Sequence, residues 1–256
     1  MKFSLAKGPF IRNKRSTTGI MLELFVVLAV VWLTAVVGYS IKYNFTVGLK
    51  AILVVLVSLV TTVAIDVVMA LVKGKRKFKE ICHFVLTSYS YVTAIIFALC
   101  LPVVVSYYAV VVGSIVATLL GKYVFGGFGY NIFNPAIIGR IFVGLAFGSS
   151  LNYGIEWNKT SEGYDYITGS TITSNVDWSN GIIPEKWTLN SLLFGGYEGA
   201  IGETFTILLV VAAIYLIVRG IINGLDVKEW NPDTDPFIDI NYNKESVILC
   251  YNMVIT

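Results

Sequence analysis

Between two strongly apolar segments the chain reads Phe125-Gly-Gly-Phe-Gly-Tyr-Asn-Ile-Phe-Asn-Pro-Ala136, a glycine- and asparagine-rich break. Lipid offers backbone N–H and C=O groups no partners. An irregular stretch therefore persists at membrane depth only where protein shelters it or where it lines a polar site. Gly126, Gly127 and Gly129 permit positive φ and close approach of another group to the backbone. Asn134 and Pro135 then read as an N-cap and a first helical residue, restarting a helix over 136–147. A helix N-terminus aimed at a cavity attracts anions, carbonyls or phosphates. A glycine-rich turn that serves only helix packing is the equal alternative.

Apolar runs over 20–39, 45–72, 84–101, 103–125, 136–150 and 205–222 predict helices. A span needs about 20 such residues, and most of the runs qualify. The run 136–150 is short, which suggests a helix sheltered by its neighbours or partly re-entrant. Pro102 divides what would otherwise be one overlong segment. The chain is 56% hydrophobic and only 14% charged over 256 residues, with mean hydropathy +0.74. Globular domains carry about a quarter charged residues. The expected fold is therefore all-α: a polytopic transmembrane bundle of about six helices, with the glycine-rich interruption and one long extracytoplasmic loop.

Charge orients that bundle. Lys2, Lys7, Arg12, Lys14 and Arg15 precede the first run, and Lys73, Lys75, Arg76, Lys77 and Lys79 follow the second. Both clusters are expected on the cytoplasmic side, with two crossings between them and a cytoplasmic N-terminus. Alternation then puts the glycine-rich break toward the cytoplasm and the loop 151–200 outside. That loop holds Glu156, Glu162, Asp165, Asp177, Glu185 and Glu198 against Lys159 and Lys186. The net charge of +3 comes from the clusters, so it argues topology and lipid contact, with no nucleic acid partner. Cys82, Cys100 and Cys250 are far apart and His83 is the one histidine, so no metal site is expected. No signal peptide is expected either, because the first run lacks an A-x-A-like site and continues into a second span.

Three polar residues stand out within or beside the apolar runs. Asp66 is an ionisable group at membrane depth, a functional hypothesis by default. It lies only about two turns from the Lys73 cluster, so snorkelling to the interface is the reading favoured from sequence. Lys122 could neutralise a bound anion or anchor the helix end. Glu203 is expected in the first turn of the last helix, where a carboxylate complements the dipole.

The loop contains Asp165-Tyr-Ile-Thr-Gly-Ser-Thr171. On physical grounds this is a small-residue turn bent at Gly169, with hydroxyls clustered about it. With the single histidine elsewhere in the sequence, a self-contained Ser/His/Asp site is unsupported, and no catalytic residue is assigned.

Gly121-Lys122 followed by the Phe125–Ala136 motif resembles the G-K-x-x-F-G-G-x-G-x-N-x-F-N-P-A stretch of one membrane family. That family comprises the D subunit of the Rnf ferredoxin:NAD oxidoreductase complex and the B subunit of the sodium-pumping NADH:quinone reductase. Gly8-Pro-Phe-Ile-Arg, Ser16-Thr-Thr-Gly-Ile-Met, Ser88-Tyr-Ser-Tyr-Val-Thr through Pro102, and Ala200-Ile-Gly-Glu-Thr204 fall in the same order. The resemblance covers about residues 8–222. It implies that a flavin transferase attaches FMN through its phosphate to a threonine in D-x-x-[ST]-G-A-T. Asp165, Thr168 and Gly169 match that motif, Ser170 stands where alanine is usual, and Thr171 is the implied acceptor, with Thr173 its nearest rival. Riboflavin is a candidate second flavin. Trp157, Tyr164, Tyr166 and Trp178 could stack on a flavin, although such residues also collect at membrane interfaces.

The implied function is that of a membrane subunit, not catalytic alone, passing electrons through covalent FMN. It would couple ferredoxin/NAD redox to Na⁺ or H⁺ translocation with the other subunits of an Rnf-type complex. The alternatives are the quinone-reductase subunit, or a transporter or channel that uses the broken helix as a solute site. Residues 1–222 form the expected membrane unit. Residues 223–256 read as a polar, atypical tail where the family continues with further helices.

Overall fold

The computed structural model describes residues 16–42, 44–148, 154–160, 163–169, 193–194, 199–203 and 205–221. Helix α1 is Thr17–Lys42 and α2 is Phe45–Val72; α3 is Phe78–Ser88, α4 Ser90–Leu99 and α5 Tyr107–Thr118. A π-helical turn, Leu119–Tyr123, extends α5; α6 is Pro135–Ala146 and α7 Thr206–Val218. Strands β1 (Gly154–Thr160) and β2 (Gly163–Gly169) pair antiparallel. Both α1 and α2 are long and apolar enough to cross a membrane, and the bent pair α3–α4 passes the same test when its two helices are taken together, as a broken span or a re-entrant loop. Leu22, Val26, Val30, Leu33 and Val37 form an exposed apolar stripe along α1. Such a face is stable in lipid and costly in water, so the protein is membrane-embedded.

Residue size decides how the helices meet. On α5 and its π-turn, Gly113, Ala117 and Gly121 repeat every fourth position and form a small-residue face against α6. A Cβ on Gly139 of α6 would stand 2.8 Å from both the Ala117 Cβ and the Gly113 carbonyl. One on Gly121 would stand 2.7 Å from the Pro135 Cα. Close backbone approach of this kind is how helices associate where hydrophobic burial offers little drive. Gly139→Leu is therefore expected to force α5 and α6 apart and lower the thermal midpoint in detergent by several degrees, an overpacking cost of about 1–3 kcal/mol. An unchanged midpoint would show that the contact has slack.

Asn134 caps α6 as expected: its side chain accepts from the Ala136 amide at 3.0 Å, and Pro135 is the first helical residue. Gly126, Gly127 and Gly129 all adopt positive φ. Pro102 lies between α4 and α5, also as expected.

Two expectations change. The run 84–101 is not one helix: α3 and α4 are bent by 48° at Tyr89, whose φ of 54° is left-handed. The Tyr89 hydroxyl meets Thr18 Oγ1 at 2.8 Å and its ring contacts Phe128 edge-on, so tertiary contacts hold the break. Of the turn expected over Asp165–Thr171, the part up to Gly169 is strand, and Ser170 and Thr171 lie outside the described residues. Gly163–Gly169 is a strand, with Asp165 opposite Asn158, Thr168 opposite Ile155 and Gly169 opposite Gly154.

The two ends of the bundle are distinct. At one, Lys73 Nζ lies 5.2 Å from the Phe84 ring and 5.7 Å from that of Tyr123, so the basic cluster and the start of the glycine-rich break share an end. At the other, the Ile201 amide donates to Leu101 and the Gly202 amide to Leu99. Phe147, just past α6, packs edge-on against Tyr108 at the start of α5. The long segment between α6 and α7 thus leaves and returns at the end opposite the basic cluster.

Candidate functional site, a buried charged cluster at a helix break

Three elements converge on Asp66. On α2, Ser58, Thr62 and Asp66 are buried and four residues apart, so they line one face. On α5 and its π-turn, Ser114, Thr118 and Lys122 repeat the same spacing and are also buried. The two stripes face one another: Ser114 Oγ donates to Ser58 Oγ at 3.1 Å, and Ser58 Oγ donates to the Ala94 carbonyl at 3.0 Å. The polar track runs about 12 Å along the helices, from eight residues at 1.5 Å each.

Charge gathers at the end nearer the basic cluster. Asp66 is fully buried and Lys122 is 2% exposed. Asp66 Oδ1 accepts from Ser90 Oγ at 2.8 Å and from the Tyr123 hydroxyl at 2.5 Å. Lys122 Nζ donates to Ser88 Oγ at 2.7 Å, to Ser90 Oγ at 2.5 Å, and to the Ser88 carbonyl. Asp66 Oδ2 is buried and meets no hydrogen-bond donor among the described residues. The α3–α4 break makes this possible, because left-handed Tyr89 ends the first helix at Ser88 and brings the Ser88 and Ser90 oxygens to one side. The π-turn, closed by the Val124 amide on the Leu119 carbonyl at 2.9 Å, aims Lys122 and Tyr123 at the same point. Single π-turns inside α-helices often mark functional sites.

These contacts correct three sequence readings. Asp66 does not snorkel: α5 packs a matching polar stripe against it, and the carboxylate is held by Ser90 and Tyr123. Lys122 is neither an interfacial anchor nor the counter-charge of an anion in the glycine turn; it is one hydroxyl removed from Asp66. Glu203 lies before α7, whose N-cap is Phe205, and instead accepts from the Ala200 amide of its own turn at 3.2 Å. The signal for the cluster was present as two runs of four-residue spacing, Ser58/Thr62/Asp66 and Ser114/Thr118/Lys122, but nothing in one sequence says that those faces meet.

Tyr123→Phe removes one of the two donors to a buried carboxylate, at a cost of about 1.5–3 kcal/mol. The expected result is a thermal midpoint several degrees lower in detergent. A midpoint equal to wild type would show that the phenol contributes nothing.

Asp165, Thr168 and Gly169 lie on β2, as do Tyr164 and Tyr166, and Trp157 on β1 is the register partner of Tyr166. Ser170, Thr171, Thr173 and Trp178 lie outside the described residues, as do the N-terminal basic cluster and the tail 223–256.

Residues 4–224 match the sequence profile of the NQR2, RnfD, RnfE family. The chain belongs to that family. It is 29% identical over 228 residues to the D subunit of a proton-translocating ferredoxin:NAD(+) oxidoreductase complex from Clostridium ljungdahlii, covering 86% of this chain and 64% of the relative. It is likewise 29% identical over 229 residues to the D subunit of a Na(+)-translocating ferredoxin:NAD(+) oxidoreductase complex from Acetobacterium woodii, covering 87% and 64%. It is 33% identical over 132 residues to the B subunit of the Na(+)-translocating NADH-quinone reductase from Chromohalobacter salexigens, covering 50% of this chain and 31% of the relative. The chain thus spans 64% of the length of its D-subunit relatives. The glycine-rich break lies within the segment that matches the family profile.

Proposed function

We propose that this family member is a membrane subunit of an ion-translocating ferredoxin:NAD oxidoreductase complex, carrying covalent FMN on Thr171. The observation that carries the reading is the extent of similarity. The D-subunit relative from Clostridium ljungdahlii aligns with 86% of the chain, whereas the quinone-reductase relative aligns with half of it. The D-subunit reading is therefore preferred to the quinone reductase. A solute transporter built on the broken helix gains no support from these relatives.

The donor set at Asp165–Thr171 suits FMN attachment by chemistry. Thr171 offers a hydroxyl whose oxygen can bear the phosphoester. Ser170 and Gly169 beside it are small, and the separate transferase supplies metal and base, so the loop needs no general base of its own. The isoalloxazine ring, when bound, supplies the electron transfer, and the protein supplies position and polarity around it. Riboflavin as a second flavin, the remaining complex subunits, the transferase and surrounding lipid complete the proposed set of partners. In this reading the N-terminus and the Lys73–Lys79 cluster face the cytoplasm of a bacterial inner membrane, and the loop 151–200 faces outward. Exit and return of that loop at the end opposite Lys73 is compatible with this orientation.

Depletion of the chain from its native membranes is expected to abolish reduced-ferredoxin:NAD activity and the coupled ion uptake together. Electron transfer at the wild-type rate after depletion would overturn the reading. So would solute uptake by the isolated chain in liposomes with no electron donor.

A further inference from the structure

The hydrogen-bond acceptors of the Lys122 ammonium among the described residues are all oxygens, and the Tyr123 ring lies 5.6 Å from it. The ammonium's three donors meet the Ser88 carbonyl, Ser88 Oγ and Ser90 Oγ, so the group is fully coordinated. Each proton nearby is committed as well. Ser90 and Tyr123 donate to Asp66 Oδ1, and the Ser88 hydroxyl is within reach of Tyr123 at 3.2 Å and of Ser90 at 3.1 Å. That leaves Asp66 Oδ2 buried, ionisable and without a donor among the described residues. A carbonyl and two hydroxyls opened by a helix break, next to a carboxylate with a free oxygen, are what a dehydrated hard cation requires.

We propose that this cradle is a monovalent-cation site whose resident occupant is the tethered ammonium of Lys122, ion and ammonium being mutually exclusive. Charge decides both points. Asp66 is the one anion of the cluster, so a single positive charge neutralises it. A divalent ion, or an ion beside Lys122, would leave an uncompensated charge in a buried site, a state that costs several kcal/mol by general experience. With Lys122 in place the site is neutral without any ion. With Lys122 removed, Asp66 needs a replacement cation, and the oxygens to bind it are already positioned. The inference rests on the cluster alone and stands or falls independently of the flavin.

The test is thermal unfolding of the full chain in detergent, comparing NaCl with choline chloride at equal ionic strength and neutral pH. Wild-type protein is expected to show no saturable Na⁺ effect. Lys122→Met is expected to show a saturable upward shift of about 5 °C in Na⁺, the size that binding at well above Kd produces in a chain of this length. Asp66→Asn/Lys122→Met, with both charges gone, is expected to lose the shift. Absence of any Na⁺, Li⁺ or K⁺ effect on Lys122→Met overturns the proposal, as does an equal effect on wild type. Failure of Lys122→Met to accumulate in any salt, beside a double variant that accumulates, overturns it too. Should neither variant accumulate, wild-type protein at alkaline pH, where the Lys122 ammonium gives up its proton, takes their place. The charged and titratable groups facing the ammonium there are Asp66 from α2, Lys73 at its end and Tyr123 on the π-turn. A saturable Na⁺ shift under those conditions supports the proposal and its absence overturns it.

Discussion

Thr171→Ala is expected to abolish flavin fluorescence of the denatured band when the chain is coexpressed with a flavin transferase, with protein level unchanged. The effect is all-or-none, because a phosphoester survives denaturing electrophoresis and a non-covalent flavin does not. Thr173→Ala should keep the band at full intensity, and Ser170→Ala should keep it too, since alanine is the usual residue of the motif at that place. Loss of the band in Thr173→Ala with retention in Thr171→Ala would move the acceptor by two residues and break the match to D-x-x-[ST]-G-A-T. The wild-type loop need only expose one hydroxyl, so substitutions on the helices far from it should leave labelling intact.

The second large effect is at Asp66. Asp66→Ala removes the carboxylate and leaves the Lys122 ammonium buried with only neutral oxygens around it. Removing one partner of a buried pair costs about 3–5 kcal/mol, which corresponds to a thermal midpoint lower by about 10 °C in a chain of this size. Asp66→Ala/Lys122→Met should recover most of that loss, because two apolar side chains leave no stranded charge. The pair is bridged by Ser90, so the two substitutions share a partner and are expected to be strongly non-additive. Equal destabilisation in single and double variants would mean that the cluster contributes packing and not charge compensation.

Much of the helical frame was legible before the structure, because its signals are local. Apolar length places α1 and α2, Pro102 separates α4 from α5, and Asn134-Pro135 sets the start of α6 through a cap that the chain makes with itself. The Tyr89 break carries no such local mark. Ser88-Tyr-Ser90 contains neither glycine nor proline, and the left-handed residue is held by Thr18, 71 positions away. Asp66 illustrates the same limit. Its distance from Lys73 along α2 was read correctly, but its environment depends on which face of α5 opposes it. Ser114, Thr118 and Lys122 supply that face, and no local pattern in either helix announces the pairing. The small-residue face of Gly113, Ala117 and Gly121 is offset from it by one position, so α5 packs tightly against α6 with one side and presents polar groups to α2 with the other. Thr171 is a different case again. Physical reasoning on Asp165–Thr171 yields a hydroxyl-rich loop and nothing more; only the family motif singles out one oxygen.

The central claim, that this chain is a covalent flavoprotein subunit, is tested most directly by mass spectrometry of the peptide containing Thr171, taken from cells with an active flavin transferase. The expected result is a peptide heavier by the mass of FMN less one water, with the fragment series placing the increment on Thr171. An unmodified Thr171 peptide from those cells would contradict the account.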